Sequence, residues 1–461
     1  MATDRPVRLA VLAAAALLLW PALWNGYPIV FADTGTYLSQ AINHYAGWDR
    51  PVFYSLFMLP LHATVTVWPV VAAQGLLTAW VLRVVCRALL PTMPEPAFVG
   101  GTALLAACTW LPWIVSELMP DVFTPLLILV VCLLAWVPQR LSRRERAICV
   151  GLAAFMIATH QSSLPLACGL LAVLGVLSGP VMAGAGHRGR ALDGAPPRPN
   201  PCPVPHRWVL LVLPPALALL ALCSANLAAH GRFAISPFGN VFLLARVIYD
   251  GPGMDTLRRD CPSAHWRLCP YRDAFPPTSD DFLWAPGSPL FQVGGAKSVS
   301  QDVEAIIRAT LAADPLGEAR AAWSNTQKQL TAFASGDGLN PWPTQVSPWI
   351  KRDFPARETA AYASARQQAG TLAVAPPLAA LHMLTSVAGV VGCVLLLPVA
   401  FIRRAPCFGF LLAVLIALPV SAAITGSLSA PHDRYQSRIM WLPPFMAVVS
   451  LISLRTSRRV P

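Results

Sequence analysis

Charge is what this 461-residue chain has least of. Asp, Glu, Lys and Arg make up only 12% of it, about half the usual share in a soluble globular protein, whereas 55% of residues are apolar. A water-soluble fold of this length needs more polar surface. Also missing are a P-loop, any Cys or His cluster with metal-ligand spacing, and an internal repeat. The net charge of +12 comes without a basic helix or an aromatic stacking platform, so nucleic acid is not expected as a partner. One literal G-x-G-x-x-G occurs, at Gly184, Gly186 and Gly189. It follows an apolar run and precedes Pro-rich chain, whereas cradling a pyrophosphate requires a strand before it and a helix directly after. The stretch 183–207 therefore reads as a Gly-, Pro- and Arg-rich linker.

Long apolar runs are what the chain does have, and many of its 45 prolines fall at their edges. Ten runs approach the roughly 20 residues needed to cross about 30 Å of hydrocarbon: 9–30, 69–90, 97–116, 121–138, 147–163, 164–182, 208–228, 374–402, 407–426 and 439–454. The fifth and sixth read as a hairpin. Arg5 and Arg8 precede the first run as in a signal peptide, but it continues through Trp20 and Trp24 with no small-residue cleavage site, so an uncleaved anchor is expected. Basic residues alternate in side. Arg83 and Arg87, Arg140 to Arg146, Arg188 to Arg207, Arg403 and Arg404, and Arg455 onward share one face with the N-terminus, while the short loops of the other face hold only Arg50, Arg434 and Arg438. The positive-inside rule then puts both termini in the cytoplasm.

The expected fold is an all-α polytopic membrane protein of about ten transmembrane helices, with an external domain between helices seven and eight. Its parts are an amino-terminal module, 1–228, with an external loop at 33–68; an external, periplasmic domain, 229–373; and carboxy-terminal helices, 374–461. The external segment holds most of the acidic residues and carries helix-start signals at Ser236-Pro237 and Asp314-Pro315. Of eleven cysteines, only Cys261 and Cys269 fall in it, and they are expected to form a disulfide.

Five polar clusters sit at the outer ends of the runs, where ionisable groups are expensive. Asp33, in Phe31-Ala32-Asp33-Thr34, is suited to a general base or metal ligand, or else Asp33 or Thr34 caps a short helix through Leu38 and Ala41. Trp48-Asp49-Arg50-Pro51 leads into an apolar stretch, Val52 to Trp68, read as interfacial helices broken at Pro60 and carrying His62. Glu117 and Asp121 flank Pro120; Asp121 also suits a first helical turn, whereas Glu117 has no capping role. His160 to Ser163 form a polar hairpin tip. His432 to Arg438 place two arginines four apart, on one helical face, against the charge bias; Asp433, lipid headgroups or a phosphate-bearing ligand are the candidate partners.

An acid after the first span with a tyrosine four residues on (Asp33, Tyr37), the Arg50-Pro51 stretch, an acidic turn between spans three and four, and a late Arg-Tyr loop (Arg434, Tyr435) resemble the GT-C class of membrane glycosyltransferases. That class includes protein mannosyltransferases, aminoarabinose transferases and oligosaccharyltransferases. The resemblance implies sugar transfer from a polyprenyl-phosphate-linked donor to an acceptor on the outer face of a bacterial inner (plasma) membrane. It gives Asp33 the catalytic role, assisted by Glu117 and Asp121, and assigns Arg434 and Arg438 to the leaving phosphate. His160 and His432 would be proton or phosphate partners, with Tyr37, Arg50 and Tyr435 lining the substrate site. A divalent cation would fit the class, although no second acid adjoins Asp33. The other readings are a transporter or flippase of a lipid-linked or polar solute, disfavoured by charges kept at one rim and the absence of paired halves, and a noncatalytic assembly protein.

Overall fold

The computed structural model describes residues 4–173 and 204–456. The glycine motif at 184–189, the linker arginines Arg188, Arg190 and Arg198, and the sixth apolar run from residue 174 lie outside the described residues. Those described are helical, and the one strand-like pairing among them is a parallel bridge between Ile29 and Glu117.

Among the described residues, five helices are long and apolar enough to cross a membrane: Trp68–Leu89, Arg207–His230, Pro376–Ile402, Phe408–Leu428 and Asp433–Thr456. Glu95–Cys108, Pro120–Trp136 and Ser163–Val173 are apolar but shorter. Several runs expected as single spans are interrupted. The run 9–30 divides into Asp4–Leu17 and Trp20–Asn25 and then becomes extended, and 97–116 divides at Thr109 and Trp110 into Glu95–Cys108 and Leu111–Ser116. Prolines mark both of the shorter second pieces: Pro21 and Pro112 sit in their first turns, where a missing N–H costs nothing. Pro60, by contrast, does not break its stretch. Phe53–His62 is one helix that contains it and ends two residues later, where Ala63 turns left-handed at φ 42°. The proline forfeits a single hydrogen bond in the last turn.

Most buried apolar side chains belong to one cluster that links the long helices, from Ala10 to Leu454. Close approach within it relies on missing side chains. At Gly389 a Cβ would lie 2.2 Å from the Pro444 nitrogen, so Pro376–Ile402 and Leu442–Thr456 touch backbone to backbone. A second cluster, from Phe238 to Ile307, gathers the helices Asn240–Asp250, Gly253–Ala264 and Gly295–Ala313. Cys261 and Cys269 are bonded to each other there, with Cα atoms 5.2 Å apart. Asp314 caps Pro315–Thr331 by accepting from the Gly317 amide at 2.7 Å. Ser236-Pro237 starts no helix. The next begins at Asn240, and the Ser236 hydroxyl instead accepts from Gln161 Nε2 at 3.3 Å.

Candidate functional site

Short helical turns and extended links at 28–34, 109–122, 334–342 and 432–438 meet in one place, and side chains secure their polar groups. The Ile29 amide donates to the Ser116 carbonyl (2.9 Å) and the Leu118 amide to the Ile29 carbonyl (2.8 Å). Gln74, on a long helix, donates to the carbonyls of Val115 and Glu117 at 2.9 and 2.8 Å, and is itself held by the Tyr54 hydroxyl at 2.6 Å. Thr34 accepts from the Phe31 amide and donates to the Leu118 carbonyl. Asp33 is therefore not the cap of its helix, Ala32–Asn43; Thr34 serves the N-terminus and frees the carboxylate for other work.

That carboxylate is gripped from the side by Arg50, whose Nε and Nη2 donate to its two oxygens at 2.9 and 2.8 Å. Burial works against ionisation of Asp33, yet the charge and hydrogen bonds of Arg50, with Arg434 adding to them, hold its pKa below the ordinary carboxylate value. The Arg50 guanidinium also lies over the rings of Phe242 and Trp284, 5.7 and 5.3 Å from their centroids.

Asp121 carries the second ion cluster. Arg434 Nη2 donates to one of its oxygens at 2.7 Å and Arg438 Nη1 to the other at 2.9 Å, and all three side chains are buried or nearly so. Asp433 is thus not the partner of these arginines. Its carboxylate instead accepts from the Ala334 amide at 2.8 Å. Arg434 lies 3.6 Å above the Phe31 ring, which packs on Trp342, and Arg438 Nη2 donates to Ser162 Oγ, itself 2.8 Å from His160 Nδ1.

A small pocket is lined by Glu117, Asp121, Asp337, Arg434 and Arg438 on its polar side. Ile29, Trp110, Trp113, Ile114 and Leu339 form the apolar side. Glu117 lies in the extended link between two apolar helices, with none of the guanidinium hydrogen bonds that hold Asp33 and Asp121. Burial pushes its carboxyl up to about 8, with Asp121, Asp337 and Asp33 adding to the rise and Arg434 opposing it.

Of the residues singled out in the sequence, Glu117, Asp121, Arg434 and Arg438 line this pocket; Asp33 and Arg50 adjoin it electrostatically, and His160 reaches it through Ser162. Tyr435 lies under Arg438. Tyr37 does not line the pocket, being buried edge-on against Tyr54. Nor does His432, whose backbone pairs twice with Gln329 while its ring meets Tyr435. Asp337, Trp110 and Trp113 were not anticipated. Asp337 sits between Gly336 and Gly338, both at positive φ (109° and 86°), and its carboxylate accepts from the Arg434 amide at 3.0 Å. Gly-Asp-Gly in sequence signals only a turn.

A resident divalent cation fits these donors poorly. Asp33 and Asp121 are already matched by guanidinium groups, and no group of three or more His, Cys, Asp or Glu side chains among the described residues is arranged to hold a metal. Compared with protein-family profiles, curated proteins and solved structures, the chain matches none.

Proposed function

We propose that the chain is a membrane glycosyltransferase that moves a sugar from a polyprenyl-phosphate-linked donor to an acceptor on the outer face of the membrane. The observation that carries this reading is the sharing of one buried carboxylate, Asp121, by two guanidinium groups on the wall of a pocket that also holds Glu117. The two guanidinium groups converge on one carboxylate at the pocket wall, and guanidinium offers a phosphate a forked donor. In the reaction an acceptor oxygen bonds to the anomeric carbon and the bond from that carbon to the phosphate oxygen breaks. The electron pair leaves with the phosphate, where Arg434 and Arg438 stabilise it. The acceptor proton passes to a carboxylate. Asp33, the acid favoured by the GT-C resemblance, is held ionised and clamped by Arg50 and so is a weak base; Glu117, with its raised pKa, is the better proton acceptor. Asp33 then fixes Arg50 and the local field.

In this reading the chain crosses a bacterial inner membrane about ten times, both termini are cytoplasmic, and 229–373 is an external domain beside the pocket. The test is turnover of lipid-linked sugars by the purified protein in nanodiscs, with Asp33→Asn and Glu117→Gln alongside. Loss of transfer in Glu117→Gln with partial activity in Asp33→Asn is expected. Undiminished transfer by both variants would remove the pocket from the chemistry.

A further inference from the structure

The helix Pro315–Thr331 is built inside out. Its buried positions are polar: Glu318, Asn325, Thr326 and Gln329. Each has a polar partner on another segment. Glu318 pairs with Arg246 at 2.6 Å, Asn325 Nδ2 donates to Asp250 at 2.8 Å, Thr326 Oγ1 lies 3.5 Å from Ser427 Oγ, and Gln329 bonds the backbone of His432 in both directions. Among the exposed positions, together with Arg320, Ser324, Gln327 and Lys328, lie the large apolar side chains instead: Leu316 at 66%, Trp323 at 64% and Leu330 at 36%. Spaced by seven, these three lie along one stripe. A helix surrounded by water arranges these two classes the other way round.

The neighbour of this helix says what covers the stripe. At Gly426, near the end of the membrane-crossing helix Phe408–Leu428, a Cβ would lie 2.7 Å from the Asn325 carbonyl oxygen. The two backbones are therefore in direct contact, so this helix lies against one that is long and apolar enough to cross the bilayer, with the stripe turned away from it. Trp323 stands mid-stripe, while Arg320 and Lys328 are exposed beside it, the arrangement of an indole and basic side chains at the level of headgroups. We infer that Pro315–Thr331 is an interfacial helix whose Leu316–Trp323–Leu330 stripe is immersed in the lipid of one leaflet, its polar face turned inward to the protein. The inference rests on the membrane-crossing helices and not on the proposed sugar transfer.

Nitroxide labels at Leu316→Cys, Trp323→Cys and Leu330→Cys, each in the full chain in phosphatidylcholine/phosphatidylglycerol nanodiscs, test it. The unsubstituted protein carried through the same labelling supplies the background from the exposed Cys168. All three substitutions leave the buried polar face intact, and an unchanged melting temperature verifies folding. Collisions with dissolved oxygen should exceed those with a water-soluble nickel chelate several-fold at all three sites. Equal access to both reagents would place the stripe in water and overturn the inference. Exclusion of both reagents, the result of a second protein copy covering the stripe, would overturn it as well.

Discussion

Glu117 gives the sharpest test, because one carboxyl is expected to drive stability and activity in opposite directions with pH. Its folded pKa of about 8 lies above the ordinary value of 4.5, so the folded protein holds a proton that the unfolded chain releases. Stability from this group is fully present below about pH 4.5 and is lost as pH rises through about 8. Between pH 6 and pH 9 the loss amounts to about 2.6 kcal/mol, about half of it below pH 7. Glu117→Gln keeps the shape of the neutral carboxyl and removes the titration. Melting followed by intrinsic fluorescence in nanodiscs at several pH values should therefore show the wild type weakening by a few degrees over this range and the variant changing less. Transfer by the wild type should rise over the same range, since a proton acceptor works as the carboxylate. Parallel melting curves for wild type and variant would refute the burial argument. Falling transfer from pH 6 to pH 8 would refute the role as base.

Three further outcomes follow from the geometry. Asp121→Asn leaves two guanidinium groups without their counter-charge and should cost about 3–5 kcal/mol, with inorganic pyrophosphate recovering part of the melting temperature; an unaffected melting temperature would mean that Asp121 is not their counter-ion. Arg50→Lys gives up the fork on Asp33 and the contact with Phe242 and Trp284, so turnover should fall about tenfold or more, read as kcat/KM; retained turnover would show that charge alone suffices. Gly338→Ala meets both a φ of 86° and the Phe31 ring 2.7 Å from the new Cβ, so it should cost about 1–3 kcal/mol in melting experiments and displace the ring beneath Arg434; a neutral result would mean that the loop moves freely.

The membrane character was legible because hydropathy is additive along the chain: any window of some 20 apolar residues shows it. Local helix signals were legible where one side chain decides them, as at Asp314, and failed where a distant residue competed, as when Gln161 took the hydroxyl of Ser236. Asp121, Arg434 and Arg438 were each conspicuous as charges in apolar surroundings, but their pairing was not. It joins positions more than 300 residues apart, and no periodicity encodes such a contact. Asp433, the near neighbour in sequence, was the natural partner to name, and the fold instead gives it to Ala334. Asp337 was invisible for a related reason, since its importance comes from where the turn lands. The inside-out helix was hidden too. A period of 3.6 reveals two faces without saying which one is buried.

The interrupted helices and the ion clusters are two aspects of one arrangement. Backbone that leaves the helix in an apolar setting exposes N–H and C=O groups that lipid cannot satisfy, so such breaks persist only where protein or a polar cavity receives them. Here the breaks after Asn25, at Thr109 and around Pro120 lead to the same pocket, and the freed groups go to Gln74, Thr34 and the Ile29–Glu117 bridge. Uninterrupted helices would have satisfied their own backbones and delivered only side chains to this place. By breaking, they bring Glu117 and Asp121 to one wall of the pocket, within reach of arginines from the far end of the chain. Asp33 and Asp121 are each matched by guanidinium groups, whereas Glu117 is buried without one. That exception is why its proton is held so tightly, and why the chemistry of the pocket is most economically assigned to it.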